Sequence, residues 1–284
     1  MLANSNRNRL SKGMMVRLIL SFLFIIHCSI LKIKTPIDKI NLESYRICFW
    51  NINNSKLKMD SPILFSFISS CDIISFLEVN KSETNSVHVF ETLSEKKGEP
   101  YICMENSPKQ KENFIQEKYI TCVKSEISSD IEKIEFEDIN PSFTNAPPLF
   151  LLNIYEKKIL VVPFHARPGN KKDLLDFNSV VDFSYKNFSD RRIFFGGDFN
   201  TDSVYQKIEF LLTIPFYLIL EEMVSQPTTL SNQKNDVIFS DPRTSKNCKA
   251  DVWRLHDIFP DKINRDELVK ISDHLPVSVD CFLK

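Results

Sequence analysis

Glycine is scarce in this chain, with five in 284 residues, which excludes a collagen-like or glycine-rich fibrous protein. Three of the five, Gly169, Gly196 and Gly197, fall inside two short polar segments. Glycine is therefore expected where the backbone turns tightly or approaches a ligand closely. None of the seven cysteines has metal-ligand spacing such as Cys-x-x-Cys, which excludes a zinc-finger-type motif. There is no internal repeat and no long low-complexity stretch. Basic excess is also missing: the formal net charge is −1, whereas non-specific nucleic-acid binders usually carry a basic face. The apolar run at 18–31 has 14 residues, short of the roughly 20 that a bilayer-spanning helix needs.

What is present describes an ordinary globular chain. Hydrophobic residues make up 43%, charged residues 26%, and 23 phenylalanines supply material for a sizeable core. The run at 18–31 follows Arg7, Arg9, Lys12 and Arg17, and a short apolar stretch behind a positive flank is the layout of a secretory signal. Residues 1–31 are thus read as an export signal or a membrane or lipid anchor, with a buried N-terminal helix as the alternative. Cys28 would carry the lipid of a lipoprotein, although His27 before it is atypical. Removing residues 1–28 takes away four basic residues and takes the formal charge from −1 to −5. Cys48, Cys71, Cys122 and Cys281 sit in apolar runs, where cysteine behaves as a small hydrophobe. A Cys103–Cys122 pair across a hairpin is conceivable in an exported protein.

Beyond the leader, short runs rich in Ile, Val, Phe and Tyr alternate with helix-permitting segments. Strands are expected at 46–52, 72–79, 101–105, 118–124, 149–155, 158–165, 191–199, 236–240 and 276–283. Helices are expected at 62–70, 84–96, 172–187 and 203–212. No composition break interrupts this alternation, so residues 42–284 are read as one α/β domain.

Polar groups recur at the ends of the strand-like runs: Asn51, then Glu78 among apolar neighbours, then His165 in Pro-Phe-His-Ala-Arg-Pro-Gly-Asn. Asp198 and Asn200 follow in Gly-Gly-Asp-Phe-Asn, and Asp273 and His274 in Ser-Asp-His-Leu-Pro. Singly, each has a plain explanation: Asn51 as a turn residue, Glu78 as an ion-pair partner, His165 as a structural imidazole. As a set, carboxylates, an amide and imidazoles at strand ends match what metal-assisted phosphodiester hydrolysis requires, oxygen ligands for the cation beside proton carriers.

Taken in order from about residue 45 to 283, these segments resemble the endonuclease/exonuclease/phosphatase superfamily, and within it the deoxyribonuclease I family. The marks are Pro-Phe-His-Ala-Arg-Pro-Gly-Asn, Gly-Asp-Phe-Asn-Thr-Asp-Ser-Val-Tyr and Lys-Ile-Ser-Asp-His-Leu-Pro-Val. The resemblance implies a four-layer α/β sandwich, two packed mixed β-sheets flanked by helices. It also implies two imidazole–carboxylate pairs, His165 with Glu117 and His274 with Asp236, which serve as acid and base in either assignment. Glu78 with Asn51 matches one position for a divalent metal, and Asp198 with Asp273 another. The cofactor implied is Mg²⁺, with Mn²⁺ or Ca²⁺ as alternatives. Asn200 would hydrogen-bond a phosphate oxygen and Tyr205 would lie by the phosphate backbone; Arg167, inside the histidine motif, is read separately as a phosphate contact, with a solvent-exposed loop arginine as the alternative.

The sequence departs from that family where DNA is gripped. Asn80 stands where an arginine usually enters the minor groove, Val237 follows Asp236 where arginine is common, and the stretch around Asn145 is uncharged. Ser203 replaces the family's disulfide cysteine. The first expectation is an exported, monomeric endonuclease that hydrolyses DNA with little sequence preference. The alternative is a hydrolase of phosphoinositides or other phosphoesters, like the related toxin subunit. A remoter alternative is a surface binding module without turnover.

Overall fold

A computed structural model describes residues 44–53, 62–80, 85–106, 117–128, 130–136, 146–169, 171–200, 218–219 and 226–282. Contacts gather Glu43–Lys284 into one compact unit. The leader with Cys28, the expected helix at 203–212, and Ser203, Tyr205 and Asn145 lie outside the described residues.

Two six-stranded sheets form the centre. Sheet A contains β1 (Ser44–Asn51), β2 (Ile73–Asn80), β3 (Tyr101–Asn106), β4 (Glu117–Lys124), β11 (Cys248–Val252) and β12 (Val277–Phe282), in the order β11-β12-β1-β2-β4-β3. Sheet B contains β5 (Ile131–Ile134), β6 (Leu149–Ile154), β7 (Lys157–His165), β8 (Arg192–Asp198), β9 (Leu218–Ile219) and β10 (Asp236–Ser240), in the order β5-β6-β7-β8-β10-β9. Each sheet has one parallel pair near its middle, β1 with β2 and β7 with β8, flanked by antiparallel strands. Helices α1 (Pro62–Ser69) and α2 (Ser86–Lys96) contribute to the core on sheet A, and α3 (Lys171–Phe188) to the core on sheet B. Short helices α4 (Pro242–Ser245), α5 (Leu255–Ile258) and α6 (Arg265–Val269) occupy connections.

The period-2 alternation of strands explains the layering. In sheet B, Phe150, Leu152, Ile159, Val161 and Phe194 join the core shared with sheet A, while Leu151, Leu160, Val162 and Phe195 pack with Phe177 and Val180 of α3. With both faces covered, the strands read as nearly continuous apolar runs. In sheet A, Trp50 meets Phe67 of α1 edge-on at 5.7 Å, and Phe76 meets Phe90 of α2 at 5.6 Å. The expected four-layer α/β sandwich is thus the fold.

Two of the sequence expectations change here. Gly196 and Gly197 make room for close neighbours in the fold: Gly196 for the other sheet, and Gly197, at φ +135°, for the Phe164 carbonyl of β7 as well as the other sheet. A Cβ on Gly196 would lie 2.4 Å from the Phe49 ring of β1, and one on Gly197 would lie 2.5 Å from Leu77 of β2. Glycine in β8 is what lets the sheets close at this point. Cysteines read as small hydrophobes are cross-linked: Cys48–Cys71, Cys103–Cys122 and Cys248–Cys281. Cys103 and Cys122 are direct cross-strand partners, as are Cys248 and Cys281. Cys48 reaches the turn before β2, a contact that only the β1–α1–β2 crossover creates.

Candidate active site

Strand direction brings the polar residues together. Asn51, Glu78, His165 and Asp198 lie at or near the C-terminal ends of β1, β2, β7 and β8. Glu117 and Asp236 open β4 and β10, antiparallel neighbours whose first residues stand beside those ends: Glu117 opposite Asn80, and Asp236 opposite Asp198. His274 precedes β12, which runs antiparallel to β1. One edge of the sandwich therefore collects all seven groups.

Glu78 needs a local distortion to join them. The β2–β4 register shifts between Phe76 and Val79, and Glu78 has φ +53°. A bulge of this kind bends the strand and re-aims a side chain, and a non-glycine residue in the left-handed region costs free energy that the surroundings must offset. Phe76 before it is buried, whereas Glu78 reaches the site edge.

Asp198 is the hub. Its Oδ1 accepts the Asn200 N–H at 2.8 Å, and its Oδ2 accepts Asn51 Nδ2–H at 2.9 Å and Asn200 Nδ2–H at 3.0 Å. Asn51 Nδ2 also donates to Glu78 Oε1 at 2.6 Å, while Asn51 Oδ1 accepts the Asn53 N–H. The Asn200 amide is turned inward, donating to the Ala166 carbonyl at 2.8 Å.

Two imidazole–carboxylate pairs approach this hub from both sheets. His165 Nδ1 lies 2.9 Å from Glu117 Oε2, and His274 Nδ1 lies 2.8 Å from Asp236 Oδ2. Each pair bridges the two sheets. With Nδ1 so engaged, Nε2 of each ring is directed at the centre, 3.8 Å and 3.4 Å from Asp198 Oδ2. His165 Nε2 is also 3.0 Å from Glu78 Oε1.

Electrostatics follow from this crowding. Burial works against a charged imidazole. The hydrogen bond to Glu117 and the charges of Glu78 and Asp198 outweigh burial and raise the His165 pKa to about 9. For His274, burial is outweighed by Asp236, then Asp198 and Asp273, and its pKa rises to about 10. Asp198 is pushed up to about 6, by burial first and then by the facing Asp236. Burial also raises Glu78, with Glu117 adding to it and His165 opposing.

The donor set fits a hard divalent cation. Ligand atoms of Glu78, His165 and Asp198 lie within 4.8 Å of one another, as do those of Asp198, Asp236 and His274. Glu78 and Asp198 supply carboxylate oxygens, the chemistry that Mg²⁺, Mn²⁺ and Ca²⁺ select. A buried Asp198 held above its ordinary range is a carboxylate whose ionisation an added positive charge would favour. Asp273 does not join Asp198 in either group. It is exposed, and its Oδ1 accepts Asn53 Nδ2–H at 2.9 Å. Arg167 and Asn80 are of intermediate exposure, each two residues beyond His165 and Glu78 in sequence.

Residues without an assigned role in the sequence reading also shape the site. Ser272 Oγ donates to the Asn51 carbonyl at 2.6 Å and accepts the His274 N–H at 2.9 Å. Trp50 Nε1–H donates to the His274 carbonyl at 3.1 Å. A serine two residues ahead of the histidine is a recognisable turn signal, but its reach to β1 is not legible locally.

No family model matches the sequence, and no curated protein matches it. Solved structures do. An endonuclease/exonuclease/phosphatase family protein from Leptotrichia buccalis aligns with TM-score 0.56 and 16% identity, over 83% of this chain and 98% of that one. The endonuclease domain of TRAS1, a telomere-specific non-LTR retrotransposon, aligns with TM-score 0.56 and 15% identity, over 85% and 100%. The 3′ phosphatase NExo from Neisseria, bound to product DNA hairpin, gives 0.56 and 13%, over 83% and 98%. The chain has the fold of the endonuclease/exonuclease/phosphatase proteins.

Proposed function

We propose that this chain is a divalent-metal-dependent phosphodiesterase, acting as an exported endonuclease on DNA with little sequence preference. The observation that carries the reading is the pair of imidazoles whose Nδ1 atoms are held by Glu117 and Asp236 and whose Nε2 atoms face Asp198 from opposite sheets. A group on each side of one point is what in-line displacement at phosphorus needs, one to take a proton from the attacking water and one to give a proton to the departing oxygen. A cation held by Glu78 and Asp198, with Asn51 beside them, would neutralise charge on the phosphate oxygens. His165, a cation at neutral pH, suits the acid role, and Glu117 keeps its Nδ1 engaged so that Nε2 carries the transferable proton. His274, held by Asp236, is equally a cation at neutral pH, so the two roles can be exchanged and the ring that serves as base is the one that has lost its Nε2 proton.

Export is supported by the three disulfides, which persist in oxidising compartments, and by the charged, apolar leader. The DNA preference draws on the order of motifs along the chain. A second reading, hydrolysis of phosphoinositides or other phosphoesters, is favoured by Asn80 and Val237 standing where DNA-gripping arginines are expected.

The test is to incubate purified protein with supercoiled plasmid and Mg²⁺, with and without chelator, beside a His165→Ala/His274→Ala double variant. Chelator-sensitive nicking that the double variant lacks is expected. An intact plasmid with wild-type protein would overturn the DNA reading. Phosphate release from phosphoinositide vesicles would then establish the second, and inertness on both would leave a binding module.

A further inference from the structure

Thr228 is fully buried in the connection ahead of β10. Its Oγ1 accepts two main-chain N–H groups, those of Asn235 and Asp236, both at 2.9 Å. Its carbonyl accepts the Leu275 N–H at 2.7 Å, and its own N–H donates to the Gln233 carbonyl at 2.8 Å. The neighbouring residues extend the same seam: Thr229 forms an antiparallel bridge with His274, and the Leu230 N–H donates to the Asp273 carbonyl at 2.8 Å. One residue therefore grips the chain on both sides of the His274–Asp236 pair. Its side chain holds the strand that presents the carboxylate, and its main chain holds the loop that presents the imidazole.

We propose that Thr228 is a positioning residue, whose hydroxyl oxygen fixes the first residue of β10 so that Asp236 meets His274 Nδ1 at 2.8 Å. Among the described residues β9 pairs with β10 at Phe239 and Ser240, and the Asn235 and Asp236 N–H groups at the start of β10 donate to this hydroxyl. Buried N–H groups are almost always satisfied. Valine would fill the same volume without an acceptor, and the start of β10 would have to move for those two donors to find another. Asp236 moves with it, because the displaced atoms belong to its own backbone. The kinetic part of this inference rests on the phosphodiesterase reading; the structural part does not.

The experiment compares Thr228→Val and Thr228→Ser with Thr229→Val, using full-length protein. Thr229 is a control from the same buried turn, since its hydroxyl contacts Ser231 and the Gln233 N–H. Two readouts are taken: kcat and KM on a chromogenic phosphodiester with Mg²⁺, and amide hydrogen exchange at Asn235 and Asp236. Thr228→Val is expected to lower kcat by about tenfold to a hundredfold with KM within about twofold, the signature of misplaced machinery. It should also speed exchange at the two amides at least about tenfold, as expected when local protection is lost. Thr228→Ser should restore both, and Thr229→Val should behave as wild type. Wild-type kcat and exchange in Thr228→Val, no rescue by serine, or an equal loss in Thr229→Val would each overturn the proposal. If wild-type protein cleaves no phosphoester, the functional reading fails on its own and exchange alone decides the role of Thr228.

Discussion

Replacing Gly196 with alanine is the smallest change that tests how the two sheets set the site. The added Cβ would lie 2.4 Å from one edge carbon of Phe49, 2.5 Å from a second and 2.7 Å from a third. Ordinary carbon–carbon contact begins near about 3.5 Å, so β1 and β8 must separate by roughly 1 Å or the ring must leave its rotamer. Gly196 has no left-handed φ requirement, so the clash is purely steric. Overpacking of this kind costs about 1–3 kcal/mol, which in a domain of this size lowers Tm by about 2–12 °C. The same displacement acts on Asp198, two residues along β8, whose contacts to Asn51 and His274 cross between the sheets. A shift near 1 Å there should reduce kcat about a hundredfold. The assay is a double-mutant cycle by thermal melts and kinetics with Phe49→Leu, which shortens the opposing side chain. Gly196→Ala should cost far less in the Phe49→Leu background, with a coupling of about 1–3 kcal/mol. A Gly196→Ala protein with unchanged Tm and kcat would refute the account of why glycine stands in β8.

Two further outcomes are expected. In chelator, Tm should fall as pH rises from 7 to 10: folded-state pKa values of about 9 for His165 and about 10 for His274 exceed the ordinary 6.5. Their stabilisation is thus complete below about 6.5 and lost as pH rises through 9 and 10. A His274→Gln variant should flatten this decline, and a Tm that rises over the range would contradict it. Reduction of the disulfides should destabilise sheet A: the cross-links span sequence separations of 23, 19 and 33 residues, each contributing about 3–4 kcal/mol on the loop-entropy account. Unchanged melting after complete thiol reduction would contradict that.

The strands were the legible part of the fold because sandwiched sheets bury both faces, which leaves dense runs such as Ile-Ile-Ser-Phe-Leu in β2 and Ile-Leu-Val-Val-Pro-Phe in β7. Short edge elements were not. β5 and β11 carry Glu132, Lys133, Lys249 and Asp251 on exposed positions, and β9 has two residues. The helices α4 and α6 carried signals that could have been read: Asp241 caps α4 ahead of Pro242, and Asn264 with Glu267 forms a capping box on α6. At the site, residue types and order pointed to His165, His274, Glu78 and Asp198. Their partners Glu117 and Asp236 came only through the family likeness, because each pair joins two sheets. The exposed position of Asp273, paired with Asn53, and the grip of Thr228 depend on loop geometry that no local pattern encodes.

The order of strands along the chain has a consequence for timing. Sheet B is built from one unbroken stretch, β5 to β10, whereas sheet A joins β1–β4 to β11–β12 from far downstream, with β12 seated directly beside β1. A chain emerging from the ribosome thus presents Asn51, Glu78, Glu117, His165, Asp198 and Asp236 well before His274 exists. Nascent or truncated chains interrupted before Ser272 lack one imidazole and the strand that closes the middle of sheet A. On the phosphodiesterase reading, the second imidazole–carboxylate pair, His274 with Asp236, is completed only when this late-made segment docks beside β1.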